Sequence, residues 1–176
     1  QQELGTTTLH VTHDFEEAIS LASRIAVMEE GRVVQTGTAS EMLANPKSPF
    51  VAHFVGIRNF LEGELQPSGG DNAKRFVSDG CRFHVVTDAA PGPGFLTIRS
   101  EDIVLSNEQT STSARNQFQG RIYDIVPTRR GMEISVDVGV RLTAAITEGS
   151  LATLGLTVGK GVWMSFKATA ARFIER

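Results

Sequence analysis

The sequence predicts a mixed α/β segment over residues 1–58, followed by an all-β region over residues 59–176. In the first segment, short runs of β-branched residues alternate with stretches whose apolar residues recur at helical spacing. Between residues 59 and 110, strand-like runs are separated by turns rich in Gly and Pro, without a helical period of useful length. After residue 111, apolar and polar residues alternate strictly, as is typical of half-buried strands.

The first segment is predicted to contain three strands and three helices. Runs rich in Val, Ile and Thr indicate the strands, and the second and third are joined by a turn at Glu30 and Gly31. Each helix begins after a residue whose side chain can accept from the first backbone amides. The predicted strands are residues 6–12, 24–28 and 32–35, and the capping residues are Asp14, Thr38 and Ser48.

The β-region is predicted to divide into a first β-unit over residues 59–110 and a second over residues 111–176. Short strands with frequent turns, among them residues 69–70 and 79–80, indicate a small β-barrel. One short helix is expected from Ser150 to Leu154, ended by Gly155. The predicted strands include residues 75–77, 81–86, 95–99, 133–138, 142–146 and 162–166.

Composition limits the classes of function. The net charge of −3 argues against bulk nucleic-acid binding, so any anion site must be local. Cys81 is the single cysteine, which excludes an internal disulfide and suits a reducing compartment. Cys81 and His84 are too few for a closed zinc site, so no metal is expected. The polar start at residues 1–3 and the lack of a long apolar run predict a cytoplasmic protein that reaches a membrane only through a partner.

Two short motifs, one at each end of the second β-unit, are rich in hydrogen-bond donors and contain no carboxylate. A tetrahedral metal oxyanion presents only acceptor oxygens at neutral pH, and Arg and Lys form the strongest hydrogen bonds with such a group. Small alanines would let an anion approach the backbone amides. The alternative is an ordinary strand entry and strand exit with solvated cations. The candidate oxyanion-binding residues are Ser113, Ala114, Arg115, Lys167, Ala168 and Thr169.

These motifs resemble those of the Mop domain, the molybdate- and tungstate-binding variety of the TOBE domains found behind transport ATPases. The resemblance is carried by residues 112–117, 120–122, 137–139, 145–147, 154–156 and 166–170. It implies an OB-like barrel. It also implies a homodimer, because in the Mop family the oxyanion lies where these two segments of neighbouring subunits meet.

The first segment resembles the end of an ABC-transporter ATPase domain. The resemblance rests on residues 9–14, 17–18, 24–28 and 31–33, with Gly37 and Pro46 in the family's order and spacing. It implies that His13 is the switch histidine that contacts the γ-phosphate of ATP. The chain contains neither a phosphate-binding loop nor a signature sequence, and residues 159–161 do not form such a loop. We therefore expect ATP binding by a longer parent protein, and an inactive ATPase in this chain alone.

Together the two resemblances imply the C-terminal part of the ATP-binding subunit of an ABC importer for molybdate or tungstate. Its partner would be the membrane permease, and a filled oxyanion site would restrain uptake. A second hypothesis makes the β-region only a dimerisation module behind an importer ATPase for another substrate. A third, a molybdenum storage or sensing module, is disfavoured by the segment around His13.

Overall fold

The computed structural model describes residues 6–67 and 73–176 of the chain. The chain forms two compact units, the first extending to Gly56 and the second comprising Ile57–Arg176. The polar start at residues 1–3 and the turn predicted at residues 69–70 lie outside the described residues. In the described parts, no helix is long and apolar enough to cross a lipid bilayer.

The described part of the first unit, from residue 6, contains three short helices and one β-hairpin. The two strands pair antiparallel, and their turn places Glu30 at φ 49° and Gly31 at φ 77°, which is the conformation of a two-residue hairpin turn. The predicted hairpin is therefore confirmed. The elements in chain order are α1 (Phe15–Leu21), β1 (Ile25–Glu29), β2 (Arg32–Gly37), α2 (Ala39–Ala44) and α3 (Pro49–Phe54).

All three helices begin at the predicted capping residues. Asp14 accepts hydrogen bonds from two backbone amides in the first turn of α1. Thr38 and Glu41 form a reciprocal capping box at the start of α2. Ser48 accepts a hydrogen bond from the amide of Val51 at the start of α3. Because a capping side chain bonds to amides close to it in sequence, the starts of the helices could be predicted from the sequence alone.

The strand predicted over residues 6–12 is wrong. This segment has no regular secondary structure, and Leu9 and Val11 are 91% and 88% exposed. A β-strand needs a neighbouring strand to pair its backbone groups, and the hairpin of β1 and β2 does not extend to this segment. Its β-branched composition therefore does not produce a strand here.

The second unit contains ten strands and one α-helix among its described residues. The α-helix begins one turn earlier than predicted, because Thr147, at the end of an extended segment, accepts from the amide of Ser150. Gly155 ends it as expected, at φ 57°. The elements are β3 (Asn59–Gln66), β4 (Ala73–Ser78), β5 (Cys81–Val86), β6 (Gly92–Ile98), β7 (Val104–Ser106), β8 (Asn116–Thr128), β9 (Gly131–Asp137), β10 (Arg141–Ile146), α4 (Glu148–Leu154), β11 (Gly161–Phe166) and β12 (Ala171–Glu175).

The ten strands form two curled five-stranded sheets. In each sheet, one edge strand comes from the other half of the unit in sequence. One sheet has the order β12-β6-β3-β4-β5 and the other β7-β11-β8-β9-β10, and every described pairing is antiparallel. The last strand of the chain thus completes the sheet of the first half, while β7 completes the sheet of the second half. The chain is mostly β, as predicted for residues 59–176.

The two halves of this unit are an internal repeat. The central strands β3 and β8 both begin with Asn, carry Gly four residues later and share one burial pattern over their first seven residues. A Cβ atom on Gly63 would lie 2.1 Å from the carbonyl oxygen of Val77, and one on Gly120 would lie 2.4 Å from that of Asp137. In both halves the glycine therefore allows the neighbouring strand to approach closely.

A single hydrophobic core joins the two sheets. Its members come from both halves of the repeat and all lie between residues 61 and 173. Burial of large side chains on both sheets stabilises the unit through the removal of apolar surface from water. The largest completely buried side chains are those of Phe76 and Phe83.

Candidate anion-binding site

Arg115 and Lys167 become neighbours through the pairing of two strands. The first residue of β8, Asn116, pairs with the last residue of β11, Phe166, in an antiparallel register. Arg115 immediately precedes Asn116, and Lys167 immediately follows Phe166. Although 52 positions separate the two cations in the sequence, they therefore leave the same end of the sheet side by side.

Local hydrogen bonds hold the segment around Ser113. The hydroxyl of Thr112 accepts from the amide of Ala114 at 3.1 Å, and the side-chain amide of Gln117 donates to the carbonyl of Ala114 at 3.1 Å. The Ala114 amide, predicted as a donor for the anion, donates in this structure to the hydroxyl of Thr112 two residues away.

Asn116 anchors the same segment to β5. Its side-chain oxygen accepts from the amide of His84 at 2.7 Å, and its side-chain nitrogen donates to the carbonyl of His84 at 2.8 Å. The Asn116 side chain is almost completely buried, so these bonds are shielded from competing water. Arg115 is thereby carried on a backbone that is fixed to a neighbouring strand.

The segment that carries Lys167 is anchored to the same strand. After β11 the chain makes a turn closed by a hydrogen bond from the amide of Ala170 to the carbonyl of Lys167 at 3.0 Å. Within this turn, the carbonyl of Ala168 accepts from the amide of Val86 at 3.2 Å. Both motifs are therefore attached to the end of β5, Asn116 through His84 and Ala168 through Val86.

Three aromatic rings lie next to these anchor points. The ring centroids of Phe83 and Phe118 are 5.0 Å apart, and that of Phe166 lies 6.1 Å from Phe118. Each ring belongs to one of the strands that carry the anchors, and Phe166 is followed directly by Lys167. Packing of these rings fixes the strand ends relative to one another.

The two motifs line one depression of about 540 Å³ on the surface of the second unit. Both side-chain cations and both hydroxyls of the predicted set are exposed, whereas the Ala168 side chain is buried. No carboxylate lies among the lining residues that the structure describes, so their formal charge is +2. The lining residues are Ala73, Val86, Ser113, Arg115, Lys167, Ala168 and Thr169.

An adjoining depression shares part of this lining but differs in charge. It is also lined by Ser113, Lys167 and Thr169, and it contains Ala114. Glu101 and Asp102 contribute carboxylates to it. An anion is repelled by these groups, so the first depression is the more favourable of the two for an anion.

The remaining sequence-predicted groups lie elsewhere. His13 belongs to the first unit and is exposed immediately before α1. Cys81 is partly buried on β5, where its thiol donates to the carbonyl of Val138 at 3.4 Å, and burial raises the pKa of this thiol. Within residues 6–67 and 73–176, no group of three or more His, Cys, Asp or Glu side chains could hold a metal ion.

Sequence reasoning missed the residues that complete and support the depression. Ala73 and Val86 line it, and Asn116 anchors it, but none of them was singled out as part of the site. One available signal was the repeated spacing of Asn and Gly at the starts of β3 and β8, which marks Asn116 as a structural position. Ala73 and Val86 gave no signal, because only the pairing of β4 with β5 brings them to the site.

The chain is similar in sequence to the TOBE domain and to import ATP-binding proteins. Residues 112–173 match the TOBE domain. Over 173 residues the chain is 38% identical to the molybdate/tungstate import ATP-binding protein WtpC of Pyrococcus abyssi, an alignment that covers 98% of this chain and 48% of that protein. Over 126 residues it is 40% identical to the sulfate/thiosulfate import ATP-binding protein CysA 2 of Chromobacterium violaceum, covering 71% of this chain and 32% of that protein.

The fold resembles that of a solved molybdate-binding protein. The molybdate-bound crystal structure of the cytoplasmic molybdate-binding protein ModG matches with a TM-score of 0.59 and 19% identity, covering 69% of this chain and 98% of that one. At this identity the match supports the fold alone. The chain spans about half the length of the molybdate/tungstate import relative.

Proposed function

We propose that the chain is the C-terminal region of an ABC-importer ATP-binding protein of the molybdate/tungstate type, with a TOBE domain, and that its second unit binds molybdate or tungstate. One observation carries the proposal. Ser113 and Arg115 from one motif and Lys167, Ala168 and Thr169 from the other, far apart in sequence, line a single depression whose described lining residues include no carboxylate.

The chemistry of the depression suits a doubly charged tetrahedral oxyanion. Such an ion offers only acceptor oxygens, and the depression offers Arg115 and Lys167 as charged donors with Ser113 and Thr169 as hydroxyl donors. Charge-assisted hydrogen bonds are roughly twice as strong as neutral ones. The formal charge of the lining is equal and opposite to that of the ion.

We propose that a second copy of the chain completes the site. The four side-chain donors are exposed, and the apolar side chain of Val86 at the same depression is 46% exposed. An ion held from one side only would keep much of its hydration shell, whereas a facing copy would supply further donors and exclude water. The homodimer expected from the Mop resemblance has this arrangement.

In the parent protein, the oxyanion site would regulate transport. The parent would bind ATP, with His13 at the γ-phosphate, and would act with a membrane permease on the cytoplasmic side of the membrane. The first unit would be the end of its ATPase domain, and the second an OB-like regulatory barrel. Bound oxyanion would favour one arrangement of the paired subunits and restrain uptake, for which a coupling of about 1–3 kcal/mol is sufficient.

A second candidate function is a TOBE dimerisation module of an importer ATPase for another substrate. It is favoured by the 40% identity to a sulfate/thiosulfate import protein, which is close to the 38% identity to the molybdate/tungstate import protein. In that case the chain dimerises without binding molybdate or tungstate. Both functions predict a dimer, so binding of molybdate or tungstate by that dimer distinguishes them.

Isothermal titration calorimetry tests the proposal directly. Molybdate, tungstate and sulfate are titrated at one ionic strength, because screening weakens exposed charge interactions. We expect saturable binding of molybdate or tungstate, and a loss of about ten- to a hundredfold in affinity for Arg115→Ala and for Lys167→Ala, since one hydrogen bond to a charged group contributes about 1.5–3 kcal/mol.

Matched controls remove an exposed cation away from the depression. Arg82→Ala and Lys47→Ala should bind like the unaltered chain, because neither residue lines the depression. Equal losses in the controls would identify a nonspecific charge effect. No heat with any oxyanion from a correctly folded dimer would refute the proposal and support the dimerisation module.

A further inference from the structure

The internal repeat creates a second position equivalent to the candidate site. Arg58 precedes Asn59 at the start of β3, as Arg115 precedes Asn116 at the start of β8. Asn59 pairs with Ile98 as Asn116 pairs with Phe166, so Arg99 occupies the position of Lys167. The sheet topology therefore places a second pair of basic residues in the same relation to its strands.

Hydrogen bonds confirm the equivalence residue by residue. Asn59 accepts from the amide of Thr143 at 2.6 Å and donates to its carbonyl at 2.9 Å, as Asn116 does with His84 on the equivalent strand. The turn after Arg99 is closed by a bond from the amide of Asp102 to the Arg99 carbonyl at 3.1 Å. The matching turn after Lys167 has the same bond at 3.0 Å.

At two of the positions equivalent to lining residues of the candidate site, the second position carries a carboxylate. Glu133 pairs with Ala145 on β10, which is the place held by Ala73 opposite Val86 on β5. Glu101 follows Arg99 by two positions, the place held by Thr169 after Lys167. The second position therefore has carboxylates where the candidate site has a methyl group and a hydroxyl.

Both carboxylates contact the equivalent basic residues. The Nε atom of Arg58 donates to Oε1 of Glu133 at 2.9 Å, and the two side chains are only 34% and 22% exposed. The Nη1 atom of Arg99 lies 3.6 Å from Oε1 of Glu101, in a more exposed pair. The Glu133 contact is short and partly shielded from solvent, so it is the stronger neutralising contact of the two.

We propose that this second position is a closed copy of the oxyanion site, in which the carboxylate of Glu133 takes the place of an external anion beside Arg58. The chain then binds one oxyanion, at Arg115 and Lys167, and not two. An incoming dianion at the second position would meet both carboxylates, and their repulsion offsets the attraction of the two arginines. This inference rests on the proposed function.

The test is to open the second position and count bound ions. The variant Glu133→Ala/Glu101→Thr replaces both carboxylates with the residues found at the equivalent places of the candidate site, Ala73 and Thr169. We expect tungstate titration to show two ions per chain for this variant and one for the unaltered chain. Glu62→Ala is the matched control, because it removes a carboxylate that contacts Arg176 at 2.8 Å outside both positions, and it should still bind one ion.

Combination with Lys167→Ala separates this inference from the proposed function. In that background the opened variant should retain one ion, seen as tungsten anomalous density beside Arg58. Binding beside Arg58 in this variant, together with no binding by the unaltered chain, would support this inference and refute the proposed function. A count of one for the folded double variant, or of two for the unaltered chain, would overturn the inference.

The unaltered chain gives a second measurement that does not depend on the folding of the variant. Crystals soaked in tungstate should show density beside Arg115 and Lys167 and none beside Arg58. Density at both positions would show that the second position is not closed, even if the double variant cannot be purified.

Discussion

At the scale of single residues, two buried asparagines hold the second unit together. Asn59 and Asn116 are each 1% exposed, and each bonds both backbone groups of one residue on the other half's sheet. A side-chain amide has the donor and acceptor pattern of a peptide group, so it can replace a strand neighbour where the sheet itself is interrupted. Of the two, only Asn116 adjoins the candidate anion site.

Because only Asn116 adjoins the site, a substitution of Asn59 serves as the control for a substitution of Asn116. Asn116→Ala and Asn59→Ala should each lower the free energy of unfolding by about 2–4 kcal/mol, because each leaves buried backbone groups without partners. Asn116→Ala should also weaken oxyanion binding, since Arg115 loses its anchored backbone, whereas Asn59→Ala should not.

Urea unfolding and calorimetric titration of the two variants measure the two effects separately. Equal affinity in both variants, at equal stability, would mean that anchoring through His84 does not position Arg115.

At the scale of elements, β8 organises the second sheet. Its first part pairs with β11 and its second part with β9, and the register shifts between Ile122 and Asp124. Gly120 lies before this shift, at the point where a Cβ atom would collide with the carbonyl of Asp137. Close approach of the two strands at this point therefore requires glycine.

Gly120→Ala should destabilise the second unit by about 1–3 kcal/mol, the usual cost of an added methyl group in a packed site. Gly161→Ala is the control on the adjacent strand, because the nearest atom to its Cβ would be 4.0 Å away. Thermal unfolding of both variants gives the comparison. If Gly161→Ala costs as much as Gly120→Ala, strand propensity and not close approach explains the loss.

At the scale of the whole molecule, the second unit carries its own core and the complete set of predicted oxyanion-binding residues. Every member of the main hydrophobic cluster lies between residues 61 and 173, and all lining residues of the candidate site lie in the same unit. The exposed Leu9 and Val11 belong to the first unit. We therefore expect the second unit to fold, and to form its proposed anion site, without the core of the first.

A chain of residues 57–176 should consequently fold alone and bind molybdate or tungstate with an affinity within about threefold of the whole chain, a difference of less than 1 kcal/mol. Circular dichroism, thermal unfolding and titration of the shortened chain test this expectation. Aggregation or loss of the cooperative transition would show that the first unit contributes to the stability of the second.

Local features of the sequence determined the elements whose physics is local. The capping residues Asp14, Thr38 and Ser48 define helix starts through bonds to amides within three residues, and strict alternation around Ile134 and Leu142 defines two half-buried strands. The same reasoning failed for residues 6–12, because a strand also depends on a partner that composition does not reveal.

The sequence by itself determined a mostly β second region, a chain related to import ATP-binding proteins, and two donor-rich motifs suited to an oxyanion. Only the tertiary structure decided that the two motifs line one depression with Ala73 and Val86, and that the equivalent position at Arg58 is closed by Glu133. The physical reason is that these contacts arise from strand pairing and strand exchange, which join residues as many as 81 positions apart, as in the pairing of Glu175 with Gly94. Such pairings depend on the whole sheet, whereas capping and alternation depend on near neighbours.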